Sequence, residues 1–146
     1  MRRKDIPTWC RIRQVALAAA AVCVLGCAST TRVHVKSSQR TNEGNTLYMM
    51  VRDATGKPIV SESYNEVAAK LFTDPPDPSV VHVEPIFPGN TVSFSIEDAD
   101  EKDIFIYFFY TDPGENWRLP LRKPLPAEVF IDLGQYQIER VQIRRR

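Results

Sequence analysis

Histidine is nearly absent from this chain: His34 and His82 are the only two, and no cysteine or histidine pair stands near them at zinc-ligand spacing. No Gly-x-Ser-x-Gly elbow, phosphate-cradling loop or dinucleotide fingerprint occurs, so no catalytic or cofactor reading is supported. Asp98, Asp100, Glu101 and Asp103 form an acidic run, but counting an EF-hand loop from Asp98 puts Asp103 where glycine is needed and Phe109 where glutamate is needed. That run reads as a solvated turn, and no metal site is expected. Charge of one sign is also lacking, with a formal net charge of +1, which gives no reason to propose nucleic acid as a partner. No apolar run approaches the ~20 residues a membrane-spanning helix requires.

The near-neutral total conceals an asymmetry. Arg2, Arg3, Lys4, Arg11 and Arg13 against Asp5 give residues 1–26 a net charge of +4, leaving −3 for the rest. Behind this basic start, Val15–Leu25 is an unbroken stretch of eleven small or apolar residues, followed by Gly26-Cys27. A basic beginning, a short apolar middle and a small residue before a cut describe an export signal over residues 1–26. Arg2-Arg3 lacks the rest of a twin-arginine pattern, so general export is expected.

Cysteine is scarce too, and its placement is informative. Cys10 and Cys23 leave with the signal, and the mature chain keeps only Cys27. A lone thiol in an oxidising compartment is a liability, and no disulfide can form within the mature domain. Val24-Leu25-Gly26-Cys27 resembles a bacterial lipoprotein signal. That resemblance implies diacylglycerol on the Cys27 sulfur, cleavage before it, and acylation (palmitate) of the new amine. Ala28, where aspartate would signal inner-membrane retention, implies the outer membrane. Several acyl chains would hold the protein firmly, because each buried CH₂ contributes about 0.8 kcal/mol. Residues 27–32 read as a lipidated tether to a first strand at Val33-His34-Val35, and its reach is at most about 20 Å.

What remains, residues 33–146, reads as one mainly β domain. Its centre is Ile104–Tyr110 (Ile-Phe-Ile-Tyr-Phe-Phe-Tyr), apolar on both strand faces and therefore expected to be covered on both sides. Strands are also expected at Thr46–Arg52, Val80–Glu84, Thr91–Ile96, Glu128–Leu133 and Gln135–Ile143. In the last of these the apolar phase slips between Ile138 and Val141, which predicts a bulge near Glu139-Arg140. Ser63-Tyr64-Asn65-Glu66 is a capping box, and Tyr64, Val67, Ala68, Leu71 and Phe72 then share one helical face. Asp74-Pro75-Pro76-Asp77-Pro78 stops that helix. Seven or eight short strands with one short helix predict a small two-sheet β-sandwich. The basic end at Arg140, Arg144, Arg145 and Arg146 reads as a solvated tail.

Ser37-Ser38-Gln39-Arg40-Thr41-Asn42-Glu43-Gly44-Asn45 contains no apolar side chain and reads as an exposed loop between the first two strands. Together with the lipoprotein-like start, several features resemble the type VI secretion lipoprotein family (TssJ). They are the short first strand, the polar loop, Leu47–Arg52, the tyrosine-containing helix at Tyr64–Phe72, Pro88-Gly89, Ile104–Tyr110 and Trp117-Arg118. The resemblance implies a transthyretin-like sandwich anchored at the outer membrane and facing the periplasm. It implies docking of the periplasmic part of a TssM-like inner-membrane protein, with the loop Ser37–Asn45 as the docking element. Trp117 is expected to pack on the sandwich and Arg118 to pair with a carboxylate. Two other roles fit such a domain: a pilotin-like escort, or a periplasmic binder of sugars or small ligands.

Overall fold

In the computed structural model, which describes residues 29–56, 62–97 and 99–146, alternation of apolar and polar residues sorts the chain into eight strands. They are β1 (Thr30–Ser37), β2 (Leu47–Asp53), β3 (Val80–Ile86), β4 (Thr91–Glu97), β5 (Ile104–Phe109), β6 (Arg118–Leu121), β7 (Glu128–Leu133) and β8 (Ile138–Arg144). One sheet has the order β4-β1-β7-β8 and the other β3-β2-β5-β6. All pairings are antiparallel except β1 with β7. The mainly β, two-sheet sandwich with one short helix is therefore as the sequence predicts.

Between the sheets, Val33 and Val35 of β1 and Val129, Ile131 and Leu133 of β7 face Leu47, Met49 and Val51 of β2 and Ile104, Ile106 and Phe108 of β5. Register fixes the layers, with Met49 opposite Phe108 and Val51 opposite Ile106. A second core lies on the outer face of the other sheet. There Phe105, Tyr107 and Phe109 meet Met50 and are covered by Val67, Tyr64, Leu71 and Trp117. Every residue of β5 is buried, as the two-faced apolar pattern requires.

The covering helix, α1 (Tyr64–Ala68), begins at the predicted capping box, Ser63 accepting from the Glu66 amide while Glu66 receives the Ser63 amide. It tightens into a 3-10 turn over Ala69–Phe72. Tyr64 stacks edge-on against Trp117 (4.9 Å) and hydrogen-bonds the Tyr110 carbonyl, and burial pushes its hydroxyl up to about 12. A closed ring of polar contacts ties this segment to the sheet. Arg52 reaches Ser79 Oγ (2.9 Å) and Glu62 (2.6 Å), Ser79 donates to Asp77 (2.6 Å), and Lys70 bridges Asp77 (3.2 Å) and Glu62 (3.3 Å). Burial pushes the Glu62 carboxyl up, but Arg52 and Lys70 outweigh it and leave it below the usual glutamate range. Among the described residues Arg118 does not pair with a carboxylate as expected. It donates to the Glu62 carbonyl (3.4 Å) and lies over the Trp117 ring (5.2 Å), because Arg52 already occupies the Glu62 carboxylate.

Several boundaries differ from expectation, most by one or two residues. β1 starts at Thr30, so the tether expected to end at Arg32 is already strand from its fourth residue. Main-chain pairing to β4 and β7 draws it in, and the Thr31 hydroxyl finds the Pro126 carbonyl (2.6 Å). β8 starts at Ile138, and Glu139 is its extra residue, since Asp132 faces Arg140 while Leu133 faces Ile138, so the predicted bulge is present. Arg140 and Arg144 belong to β8 rather than to a tail, because β7 supplies ladder partners to Arg144. Asp98, the first residue of the acidic run, lies outside the described residues.

The hydroxyls of Tyr107 and Tyr110 are buried and find no hydrogen-bond partner among the described residues. Removing such an oxygen is expected to leave stability unchanged or raise it by about 1 kcal/mol. Phe108→Ala, by contrast, should cost about 3–5 kcal/mol, because Phe108 is fully buried between the sheets. Urea denaturation of Tyr110→Phe beside Phe108→Ala checks both. A loss below 1 kcal/mol for Phe108→Ala would show that β5 is not the core strand.

Candidate partner-docking loop

The segment Ser37–Asn45 is polar, yet three of its side chains hold the sandwich end together. Ser37 is the last residue of β1 and is 3% exposed. Its Oγ lies 2.9 Å from the carbonyls of both Phe87 and Asn90 and accepts the Asn90 amide at 3.1 Å. Thr41 is fully buried, donating to the Leu133 carbonyl (3.0 Å) and accepting the Ser38 amide (2.9 Å). Asn42 is 3% exposed, and its amide group works in both directions. Oδ1 accepts the Thr111 amide at 2.7 Å and Nδ2 donates to the Thr46 carbonyl at 3.1 Å, while the Asn42 main-chain N–H reaches the Gln135 carbonyl at 2.9 Å. Ser38, exposed itself, accepts the Gly89 amide on its carbonyl (3.1 Å).

Ser37, Thr41 and Asn42 are therefore frame residues, not surface for a partner. Residue type misleads here: each polar side chain replaces a hydrogen bond that loop backbone would otherwise leave unmade. The residues that face solvent are Ser38, Gln39, Arg40, Glu43, Gly44 and Asn45. Asn42, Glu43 and Gly44 turn the chain with three successive left-handed backbones (φ 50°, 57° and 81°). Asn and Gly accept that region readily, and Glu rarely does. Glu43 is held there by the Tyr136 hydroxyl, which donates to its carboxylate at 3.0 Å. That hydrogen bond is also the main reason the Tyr136 hydroxyl titrates above its ordinary value.

Two exposed rings flank this polar surface, Phe87 (53%) and Tyr136 (38%). Gln39 lies over Gly89, where a Cβ would run into its side chain, and Gly89 needs a positive φ (81°) to make the turn. The surface is thus a set of exposed polar side chains on a fixed backbone. It sits at the far end of β1 from Thr30, a separation of about 26 Å for eight extended residues.

The other candidate groups do not assemble into a site. His34 stacks on Phe130 (4.8 Å) with Nδ1 2.8 Å from Ser93 Oγ, and His82 stacks on Phe94 (5.1 Å) with Nε2 3.0 Å from Glu84. Among the described residues no three metal-ligating side chains converge. No helix there is long and apolar enough to cross a membrane. Cys27, the expected lipid attachment point, lies outside the described residues.

Sequence comparison decides the family. The family model described as IglE, N-terminal domain matches residues 48–133, from the second strand through the seventh. The chain belongs to the IglE N-terminal domain family. No curated protein matches it in sequence. Among solved structures, the fold is similar to that of the type VI secretion lipoprotein TssJ1 from Pseudomonas aeruginosa. The TM-score is 0.61 at 13% identity, covering 82% of this chain and 98% of that one. It is also similar to Lip from Serratia marcescens, a membrane-bound component of the type VI secretion system. There the TM-score is 0.62 at 15% identity, with 78% and 97% covered. A chain from a structure of the type VI secretion protein TssM C-terminal domain from EAEC aligns with a TM-score of 0.60 at 12% identity, covering 77% of this chain and 97% of that one. The resemblance read from the sequence thus holds in the three-dimensional fold.

Asn42→Ala should destabilise the domain by about 2 kcal/mol, since it removes the acceptor of the part-buried Thr111 amide and forces a Cβ-bearing residue without a local hydrogen bond into a left-handed backbone. Asn42→Gly should cost less, because glycine removes the second penalty. Denaturant midpoints of the two variants check this. Equal losses would mean that the backbone conformation contributes nothing.

Proposed function

We propose that this protein is a lipid-anchored component of a type VI secretion membrane complex. Cys27 carries the acyl chains, the domain sits on the periplasmic face of the outer membrane, and the exposed edge of the loop Ser37–Asn45 docks the periplasmic part of a TssM-like inner-membrane protein. The observation that carries this reading is the fixed polar loop at the end of β1 opposite the chain's entry, on a fold like those of TssJ1 and Lip. Family membership and the export-signal pattern before Cys27 support it. A sugar-binding role is less well supported, since the concavities flanking β8 are lined without an aromatic ring.

Growth with radiolabelled palmitate should label the wild type. Cys27→Ala should lose the label and leave the membrane fraction. Label retained in the variant would end the anchoring reading.

Docking is best tested at Arg40. It is exposed, its side chain makes no contact the frame needs, and arginine is enriched among interface hot spots. Deleting the whole loop would be uninformative, because Thr41 and Asn42 belong to the frame. In titration calorimetry against the periplasmic segment of the TssM-like partner, the chain from Ala28 onward should bind. Arg40→Ala should bind about thirtyfold more weakly, a loss of about 2 kcal/mol. Unchanged affinity in Arg40→Ala and in Gln39→Ala would place docking elsewhere.

A further inference from the structure

The end of the sandwich nearest the anchor carries a basic concavity, and we propose that it binds the phosphate groups of anionic lipid headgroups, seating the domain upright on the bilayer. The inference rests on the anchoring reading above. Ser29 is fixed at this end: its carbonyl accepts the Ala99 amide (2.9 Å) and its hydroxyl accepts the Asp100 amide (2.9 Å). Cys27 is two residues earlier, so its Cα lies within about 7 Å of that of Ser29. A lipidated Cys27 sits at the bilayer surface, and seven ångströms beyond it is still headgroup depth. The tether therefore leaves this end of the domain no choice but to face headgroups.

Within that end, the turn after β6 and the end of β8 enclose a concavity of about 600 Å³. Arg122, Lys123, Arg145 and Arg146 line it, with Asp100 as the one acidic lining residue and Ile143, half exposed, at its wall. Arg146 is the built part of the site. Its guanidinium bonds Asp100 (2.6 Å) and the carbonyl of Thr30 (3.0 Å), tying the end of β8 to the first residue of β1. Arg122, Lys123 and Arg145 are exposed and make no ion pair among the described residues. The nearby carboxylates are largely occupied. Glu97 accepts the Thr30 hydroxyl, Asp103 accepts the Lys123 amide, and Glu128 pairs with Arg144, leaving Glu101 in solvent. Three cations without an ion pair among the described residues, around one concavity at headgroup depth, match the chemistry of anionic phosphodiesters. Attraction to an anionic surface is worth a factor of about five per Lys or Arg near it.

The test uses the chain from Ala28 onward, because both sheets and both cores are built from residues between Ser29 and Arg146. Without acyl chains, binding reports the headgroup contact alone. Flotation with phosphatidylcholine vesicles containing phosphatidylglycerol should carry the protein up, and pure phosphatidylcholine should not. Arg122→Ser with Lys123→Ser and Arg145→Ser should weaken flotation about a hundredfold with an unchanged melting temperature. Lys36→Ser with Arg140→Ser, at the opposite end, should leave it unchanged. Equal flotation on both vesicle types, or no effect of the triple substitution, would overturn the proposal. Displacement by inorganic phosphate, where chloride of equal ionic strength does not displace, would support recognition of the phosphate group, whereas saturable binding of inorganic phosphate without any flotation would overturn the proposal, showing a free-phosphate site instead. Palmitate labelling of Cys27 is read separately, so failure here and failure of the anchor are distinguishable.

Discussion

A strand that is apolar along both faces has to be covered on both, and β5 imposes that condition on everything else. Ile104, Ile106 and Phe108 require the opposite sheet, which brings β1 and β7 over them. Phe105, Tyr107 and Phe109 require a second layer outside, which a four-stranded sheet alone cannot supply. The helix at Tyr64–Ala68 is that layer, and its short apolar face has the size to cover three rings. Fixing it there needs more than apolar contact, since a five-residue helix has little stability of its own. The ring of contacts from Arg52 through Glu62, Lys70, Asp77 and Ser79 supplies the attachment. Arg52 is 4% exposed, and both its carboxylate and hydroxyl partners are in place, so the cost of burying its charge is offset.

Much of this is legible in the sequence, and the reason is period. Val33 and Val35, Val129 and Ile131, and the unbroken run of β5 announce which face is buried, and Ser63 with Glu66 announces where the helix starts. The slip of phase around Glu139 announces a bulge, which is where the extra residue lies. Thr41 and Asn42 are illegible for an equally physical reason. Their partners, Leu133 and Thr111, are 92 and 69 residues away, so nothing local distinguishes them from Gln39 or Arg40 beside them. Arg52 is concealed in the same way, because its outward face becomes interior only once the helix has docked. The basic end reads as a tail because charge dominates its composition, yet β7 offers Arg144 a ladder partner in Glu128.

A polar loop is ordinarily mobile, and ordering it on binding would subtract from affinity. Here that entropy is already lost on folding. The Asn42 amide, the Thr41 hydroxyl and the Ser38 carbonyl fix the backbone from three neighbouring turns. The strained Glu43 persists because Tyr136 and the flanking left-handed residues over-determine it. Arg40 and Gln39 are consequently displayed from a rigid base, with only side-chain rotamers left to be ordered by a partner.

The mechanical consequence follows from where β1 lies in its sheet. β1 is an interior strand, paired with β4 along seven residues and with β7 along six. One of its ends receives the chain from the anchor side at Ser29 and Thr30, and the other feeds directly into the loop at Ser37. A pull between a membrane anchor and a docked partner would therefore run along the axis of β1. Tension applied at the two ends of one extended strand is carried by its own covalent backbone, and the ladder bonds to β4 and β7 on either side keep the rest of the sandwich fastened to it. An edge strand in the same place would be fastened by one row. With the proposed anchor before one end of β1 and the proposed dock after the other, the strand that joins them is held in the sandwich by two rows of ladder bonds, so tension along it does not strip it from the domain.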